Sequence, residues 1–353
     1  MKECIMEPYY YNQLTKAEQS IYTDMKNGLL SLEKSFLIPG LEGRELTELY
    51  WKLRLDCPEI FYTTGFRCRR YPGSGNVELV PEYLYDKAKI KEQQKAMKAR
   101  LEKLVRQAPK GSEWEKEQYV HDFICQYVHY DKLKKPYSHE ITGPLGQGVG
   151  VCEGIAKTVK LLCDALGIWC IVVISEANPE KKIRYRHAWN VVRIGGTYYH
   201  LDVTFDNTLG QKETLRYDYF NLDDKQIFRD HEAVIGQVPS CSDGNHFYYK
   251  ERKLSFTKME EVKKRAQQAA KKEKLLLFHW RGGYLTREVL TELLELLTEA
   301  GTEKGKYIQV GVNWPQAVLQ VQYTGKLPEN RVVIEEANEG EAEVHEAGAC
   351  GAG

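Results

Sequence analysis

The chain has 353 residues, 42% hydrophobic and 28% charged, with 50 Lys and Arg against 50 Asp and Glu and hence no net charge. Such a composition belongs to an ordinary globular protein of about two domains, and it excludes bulk attraction to nucleic acid or an anionic membrane. No run of 18 apolar residues and no leader-like N-terminus is seen, so a cytoplasmic protein without a membrane partner is expected. Nine cysteines, an odd number with no Cys-x-x-Cys pair, point to reduced thiols rather than a disulfide framework or zinc site. No metal or other cofactor is expected.

In chain order, residues 9–35 carry Leu14, Ala17, Ile21, Met25, Leu29 and Leu32 at helical steps, and Thr15 with Glu18 forms a capping box. A second helix is expected over 43–55. Strands follow at Ile60–Tyr62, at 66–71 and, after a Pro-Gly-rich turn, at Val77–Val80. A charged helix spans 85–107. Its basic excess reads as a solvated face rather than a nucleic-acid patch, because no aromatic residues are interleaved.

Pro109-Lys110-Gly111 marks a boundary, so 1–110 reads as a helical and strand region ahead of a central domain at 111–250. That domain opens with a helix at 113–130, Trp114, Tyr119, Phe123, Ile124 and Val128 facing inward. A Gly- and Pro-rich loop then leads to Cys152. Helix 152–166 ends at Gly167, where a left-handed cap belongs. Strand 169–174 is apolar throughout and reads as buried on both faces. A hairpin over 186–205 and a turn-rich stretch to 250 complete the domain. A small C-terminal α/β domain fills 251–334, with helix 257–273, strand 275–279, helix 286–300 and strands at 306–312 and 317–323. Its Gly282-Gly283 turn lacks the Gly-Lys-Ser/Thr ending of a phosphate loop. Residues 335–353, rich in Glu, Ala and Gly, read as a disordered tail.

The hairpin yields geometry. Gly195-Gly196 is a two-residue turn signal, so Ile194 opposes Thr197, Trp189 opposes Asp202 and His187 opposes Thr204. Alternation then puts His187, Trp189 and Val191 on one face with His200, Asp202 and Thr204. His187 and Asp202 become diagonal cross-strand neighbours, within reach of an imidazole–carboxylate contact. The opposite face, Val192, Ile194, Tyr199, Leu201, Val203 and Phe205, is apolar and should be core. A one-residue slip would separate the pair.

Cys152 sits in Gly-Val-Gly-Val-Cys-Glu-Gly (148–154) at a helix start, where the helix dipole and a nearby imidazolium would favour the nucleophilic thiolate. Gly148 and Gly150 leave room for a substrate backbone, and the Cys152 amide could donate to an oxyanion. The 35 residues between Cys152 and His187 allow a helix, a strand and a return to the same sheet. Glu153 reads as a helix-start charge or cleft residue. His121, Asp122 and His129 lack metal-ligand spacing, Asp206 reads as a turn cap, and Cys163 and Cys170 as buried thiols.

Gly-Val-Cys-Glu-Gly-Ile-Ala (150–156), Arg-His-Ala-Trp-Asn-Val-Val (186–192) and Tyr-His-Leu-Asp-Val-Thr-Phe-Asp (199–206) resemble the three core motifs of the transglutaminase-like superfamily in its bacterial branch. The resemblance covers about 113–235, including Tyr-Phe-Asn-Leu (219–222) and Asp-His-Glu (230–232). It implies a papain-like α+β fold, a helix carrying Cys152 packed on an antiparallel sheet. It also implies a triad of Cys152 as nucleophile, His187 as base and Asp202 as orienting acid. Gln147 and Tyr130 are the candidates for a second oxyanion donor, and Gly150, Glu153 and Trp189 for the substrate cleft.

The chemistry implied is acyl transfer from an amide, a peptide bond or Gln side chain, through a thioester. Water as acceptor makes a peptidase or amidase, a lysine amine a crosslinking transglutaminase, and hydrolysis is the expectation. A catalytically idle peptide-binding module is the alternative of another class. The expected partner is a protein or peptide substrate, with no nucleic acid; oligomeric state is left open.

Overall fold

The computed structural model describes residues 8–178, 180, 186–210 and 214–335. Helix α1 (Lys16–Leu30) starts at the Thr15–Glu18 capping box. It stops before residue 35 because Leu32 adopts a left-handed φ of 53° and the Glu33 amide turns back to the Gly28 carbonyl. The Phe36 ring lies where a Cβ on Gly28 would stand, 2.4 Å away, so the glycine admits the returning chain. Strand β1 (Phe36–Pro39), helix α2 (Gly43–Asp56) and strands β2 (Thr63–Arg70) and β3 (Asn76–Tyr83) follow. The strands form an antiparallel sheet in the order β1-β3-β2. Ile60–Tyr62 are buried but precede the strand rather than forming one.

Helix α3 (Lys87–Gln107) buries only Ile90 and Leu104 and turns its charges to solvent. Helix α4 (Glu113–Tyr127) is shorter than the pattern suggested, since His129–Tyr130 form a short strand, β4. A 3-10 turn (Pro136–His139) and a π-turn (Gly143–Gln147) lead to β5 (Val149–Gly150), parallel to β4. Helix α5 (Cys152–Ala165) ends at Gly167, whose φ of 78° is left-handed as expected. It packs on a four-stranded antiparallel sheet of β6 (Trp169–Ile174), β7 (Ala188–Ile194), β8 (Thr197–Leu201) and β9 (Phe220–Leu222), ordered β6-β7-β8-β9. This is an α+β core of the kind the motifs implied.

Gly195 and Gly196 both have positive φ, and the register runs from Ile194 opposite Thr197 to Asn190 opposite Leu201. The hairpin arithmetic is therefore right over the paired strands. It fails beyond them: Asp202 leaves the sheet as the N-cap of helix α6 (Val203–Leu209), so neither the Trp189–Asp202 nor the His187–Thr204 pairing forms. The Asp202 side chain accepts from the Thr204 and Phe205 amides, and that capping starts the helix. Val203 and Phe205 are buried, but from a helix.

Short helices α7 (Asp224–Ile227) and α8 (Tyr248–Glu251) interrupt the turn-rich stretch. The C-terminal unit comprises β10 (Ser255–Phe256), α9 (Met259–Lys272), β11 (Leu276–Trp280), α10 (Arg287–Thr302), β12 (Tyr307–Asn313), β13 (Val318–Thr324) and β14 (Val332–Glu335). Its sheet runs β10-β11-β13-β12-β14. Glu335, expected in the tail, ends β14 and pairs with Arg216; residues 336–353 lie outside the described residues. One apolar core joins Met25, Leu49 and Tyr62 of the N-terminal region to Ile155, Val191 and Phe220. A second, with Phe278, Leu293, Val310 and Val321, belongs to the C-terminal unit.

Candidate active site

Cys152 opens α5, its amide at the positive end of a helix. The side chain is fully buried in a small cluster with Tyr10, Leu55, Ala156, Val172, Ile174 and Ala188. Ala188 follows His187 directly, so the thiol and the histidine are brought to the same end of β7. Two groups unmarked in the sequence hold this arrangement. The Asn190 amide donates to the Ala156 carbonyl of α5 at 2.9 Å and the Ile171 carbonyl of β6 at 3.2 Å, fastening the helix to the sheet. The Ser175 hydroxyl accepts from the His187 amide at 3.1 Å, while the Ser175 amide donates to the His187 carbonyl at 2.8 Å.

His187 Nε2 meets Asp202 Oδ2 at 2.5 Å, with both side chains buried. That bond fixes the orientation of the ring. The Asp202 carboxylate accepts four hydrogen bonds. Its Oδ1 takes the Thr204 and Phe205 amides at 2.9 and 3.1 Å, and its Oδ2 takes His187 and, at 2.9 Å, His231 Nε2. Burial opposes its charge, but the two imidazoles hold its pKa well below the usual carboxylate range. Asp202 is thus held as a buried anion between two histidine rings.

The remaining candidates separate. Trp189 is buried rather than in a cleft: it stacks on the His187 ring at 5.7 Å and donates its indole N–H to His200 Nδ1 at 3.0 Å. An indole can only donate, so His200 Nδ1 carries no proton and its Nε2–H points to Asp224 at 2.9 Å. Glu153 also turns inward, against the cleft expectation. It pairs with Lys157 at 2.7 Å in a buried network with Arg54, His139 and Glu140. Burial raises its pKa, but Lys157 more than reverses that, so Glu153 stays ionised.

Gly150 does not leave space for a substrate, since a Cβ there would lie 2.9 Å from the Pro144 ring. Gly148 serves its own turn, with φ of 67°. Gln147 is exposed at the end of the π-turn, whereas Tyr130 is half-buried against the Cys152 cluster, with Gly150 as its β5 partner. Of the two oxyanion candidates, Tyr130 is the one near the thiol. His121, set aside for want of ligand spacing, bridges Asp122 at 3.0 Å and Asp206 at 3.1 Å. Asp206 is no simple turn cap, as its Oδ1 accepts from the Asp218 and Tyr219 amides. Cys163 and Cys170 are buried, and the seven cysteines among the described residues are free thiols. One cavity of about 710 Å³ has His231 in its wall, with Tyr9, Phe228 and Val234.

The site thus combines a cysteine at the start of a helix, the antiparallel sheet that the helix packs on, and a His–Asp pair at the adjoining strand ends. Residues 98–203 match the model of the Transglutaminase-like superfamily. The matched span contains Cys152, His187 and Asp202 but not His231. Among solved structures, the chain is similar to "a TGase" at 14% identity, covering 40% of this chain and 44% of that one, with a TM-score of 0.26. It is also similar to a protein of Cytophaga hutchinsonii provisionally assigned as a cysteine protease, at 16% identity, covering 39% and 61%, with a TM-score of 0.24. The chain spans less than two thirds of either structure. No curated protein matches. Among the described residues no helix is long and apolar enough to cross a membrane.

Proposed function

We propose that the protein is a thiol-dependent acyl-transfer enzyme acting on an amide of a protein or peptide, with Cys152, His187 and Asp202 as its triad. The observation that carries this reading is the 2.5 Å His187–Asp202 bond, with Ala188, the residue after His187, in one apolar cluster with the cysteine that opens α5. In the first half-reaction Cys152 Sγ attacks the carbonyl carbon while His187 takes the thiol proton. His187 then gives that proton to the leaving nitrogen, the C–N bond breaks, and a thioester remains. In the second half, His187 takes a proton from the acceptor, the acceptor oxygen or nitrogen bonds to carbon, and the C–S bond breaks. The thiolate then regains the proton held by His187. In this reading the Cys152 amide and Tyr130 donate to the developing oxyanion; the packing of Tyr130 against the Cys152 cluster supports its part. Water as acceptor, giving a peptidase or amidase, is the reading adopted; a lysine amine would make the enzyme a crosslinker.

Full burial of the thiol, in one cluster with Tyr10 and Leu55, favours a second reading, an idle peptide-binding module. Alkylation separates the two. Iodoacetamide at pH 6, with adducts mapped by mass spectrometry, should modify Cys152 at least tenfold faster than Cys68 or Cys125, which are partly exposed. The His187→Ala variant should lose that advantage. Equal rates at all three cysteines would leave the idle module standing. An electrophilic peptide library that labels the wild type and not Cys152→Ala would then identify the acyl group.

A further inference from the structure

Asp202 carries a second histidine that the proposed triad does not use. His231 Nε2 lies 2.9 Å from Asp202 Oδ2, the same oxygen that His187 engages. Its other nitrogen, Nδ1, lies 2.9 Å from Asp230 Oδ1. Asp230 is held in turn: its Oδ2 accepts the Tyr219 hydroxyl at 2.6 Å. The Gln316 side-chain amide lies at 3.3 and 3.4 Å from its two oxygens. Gln316 is fully buried, sits in the β12–β13 turn of the C-terminal unit, and also donates to the Gln226 carbonyl. The Tyr219 carbonyl closes the circuit by accepting the Asp202 amide at 3.0 Å.

The row therefore reads His187, Asp202, His231, Asp230, and then Gln316 from another unit of the fold. A metal ion held by His187, Asp202 and His231 would not fit these spacings. Ligands about 2.0–2.2 Å from a tetrahedral ion stand roughly 3.3 Å apart, whereas the two N···O separations are 2.5 and 2.9 Å. They are hydrogen bonds.

We propose that His231 is a positioning residue for the acyl-transfer site: it clamps Asp202 through the same oxygen that His187 engages, and Asp230 with Gln316 anchors the clamp to the C-terminal unit. This rests on the triad reading above. The titratable groups around His231 are Asp202 and His187, Asp230 and Glu232 beside it in the chain, Tyr219 before β9, and His200 beyond Trp189. Burial lowers the basicity of His231, but its bonds to Asp202 and Asp230 more than reverse this and raise its pKa. Both its ring nitrogens face carboxylate oxygens, which only accept when ionised, so the ring donating from both is an imidazolium. Its charge partly offsets that of Asp202, which keeps His187 from becoming too strong a base to release its proton.

Hydrogen bond and charge make separable contributions, and the full-length protein can report both. The pH dependence of Cys152 alkylation by iodoacetamide is measured for the wild type, His187→Ala, His231→Gln, His231→Ala and Gln316→Ala, with circular dichroism for folding. His231→Gln keeps a donor to Asp202 and loses the charge. It should stay within about threefold of wild type at its best pH while the acid limb moves up by roughly half a unit or more. His231→Ala loses both and should be at least tenfold slower across the profile. Gln316→Ala should fall between them. If both His231 variants follow the wild-type profile while His187→Ala is slow, the clamp is wrong and the triad stands. If His187→Ala itself follows the wild type, the triad falls and the clamp with it. Should His231→Ala not fold, the shift or constancy of the acid limb in His231→Gln decides.

Discussion

Asp202 shows how much one side chain is asked to do. It caps α6 with one oxygen and receives imidazoles with the other. An asparagine there would keep an acceptor for the helix amides but turn an N–H₂ toward His187 Nε2. The ring would have to switch tautomer and carry its proton on Nδ1, where the thiol proton should go. Asp202→Asn is therefore expected to remain folded yet to alkylate at Cys152 roughly 100-fold more slowly or worse at pH 7. Retention within threefold in a folded variant would remove Asp202 from the proposed triad. At this scale the sequence was legible in the meeting of His187 with Asp202, although the strand register that suggested it ends at Leu201 and Asp202 reaches the ring from a helix cap. It misled at Glu153, because a carboxylate at a helix start normally faces solvent. Its counter-charges, Arg54 from α2 and Lys157 one turn on, are visible only in three dimensions. Asn190 and Ser175 carried a weaker signal, a polar residue in or beside an apolar strand.

At the scale of elements, the start of α5 governs where the thiol stands. The Gly154 of Cys-Glu-Gly is required by packing, since a Cβ there would lie 2.1 Å from the Ser138 carbonyl oxygen. That obstacle is backbone, in a segment tied down by the Val151 amide on the same carbonyl and by Asp131 on the Ser138 hydroxyl. Gly154→Ala should therefore lose on the order of 2–3 kcal/mol in denaturant melts and slow Cys152 alkylation as the helix start shifts. A substitution that costs less than about 0.5 kcal/mol would show that the Ser138 loop yields freely. The helix itself was legible from its 3.6-residue stripe and the glycine cap. The hairpin was legible from its turn, but the end of β8 was not. Val203, Thr204 and Phe205 alternate like strand residues, and only Asp202, used as a cap, converts them to a helix.

The molecule as a whole is tied together by buried polar groups between its parts. Glu117 on α4 is fully buried and accepts the Asn221 side-chain amide at 2.9 Å. Burial pushes its pKa up to about 8, against an ordinary 4.5. The folded protein thus keeps a proton that the unfolded chain loses above pH 4.5. Stability from this group is fully present below that pH and is lost as pH rises through 8. Glu117→Gln keeps an acceptor for Asn221 without a charge. It should melt higher than wild type at pH 8, by on the order of 4 kcal/mol in free energy, and nearly equally at pH 4.5. The same difference at both values would mean that Glu117 does not titrate in this window. Other links join the units. Asn313 donates to Asp218, and Arg216 pairs with both Asp218 and Glu335 of β14.

By itself the sequence determined the helices with clear apolar stripes, the glycine turns and the hairpin register. It also carried the nucleophile, base and acid candidates in one order, because these depend on local periodicity and on φ that only glycine adopts cheaply. Tertiary structure decided the rest. It buried Cys152 in one cluster with Tyr10 and Leu55, drew Glu153 inward, and joined His231 to Asp202 and the distant Gln316 to Asp230. Those outcomes depend on which buried charges and donors find partners across the fold, and such pairings leave no period in a chain.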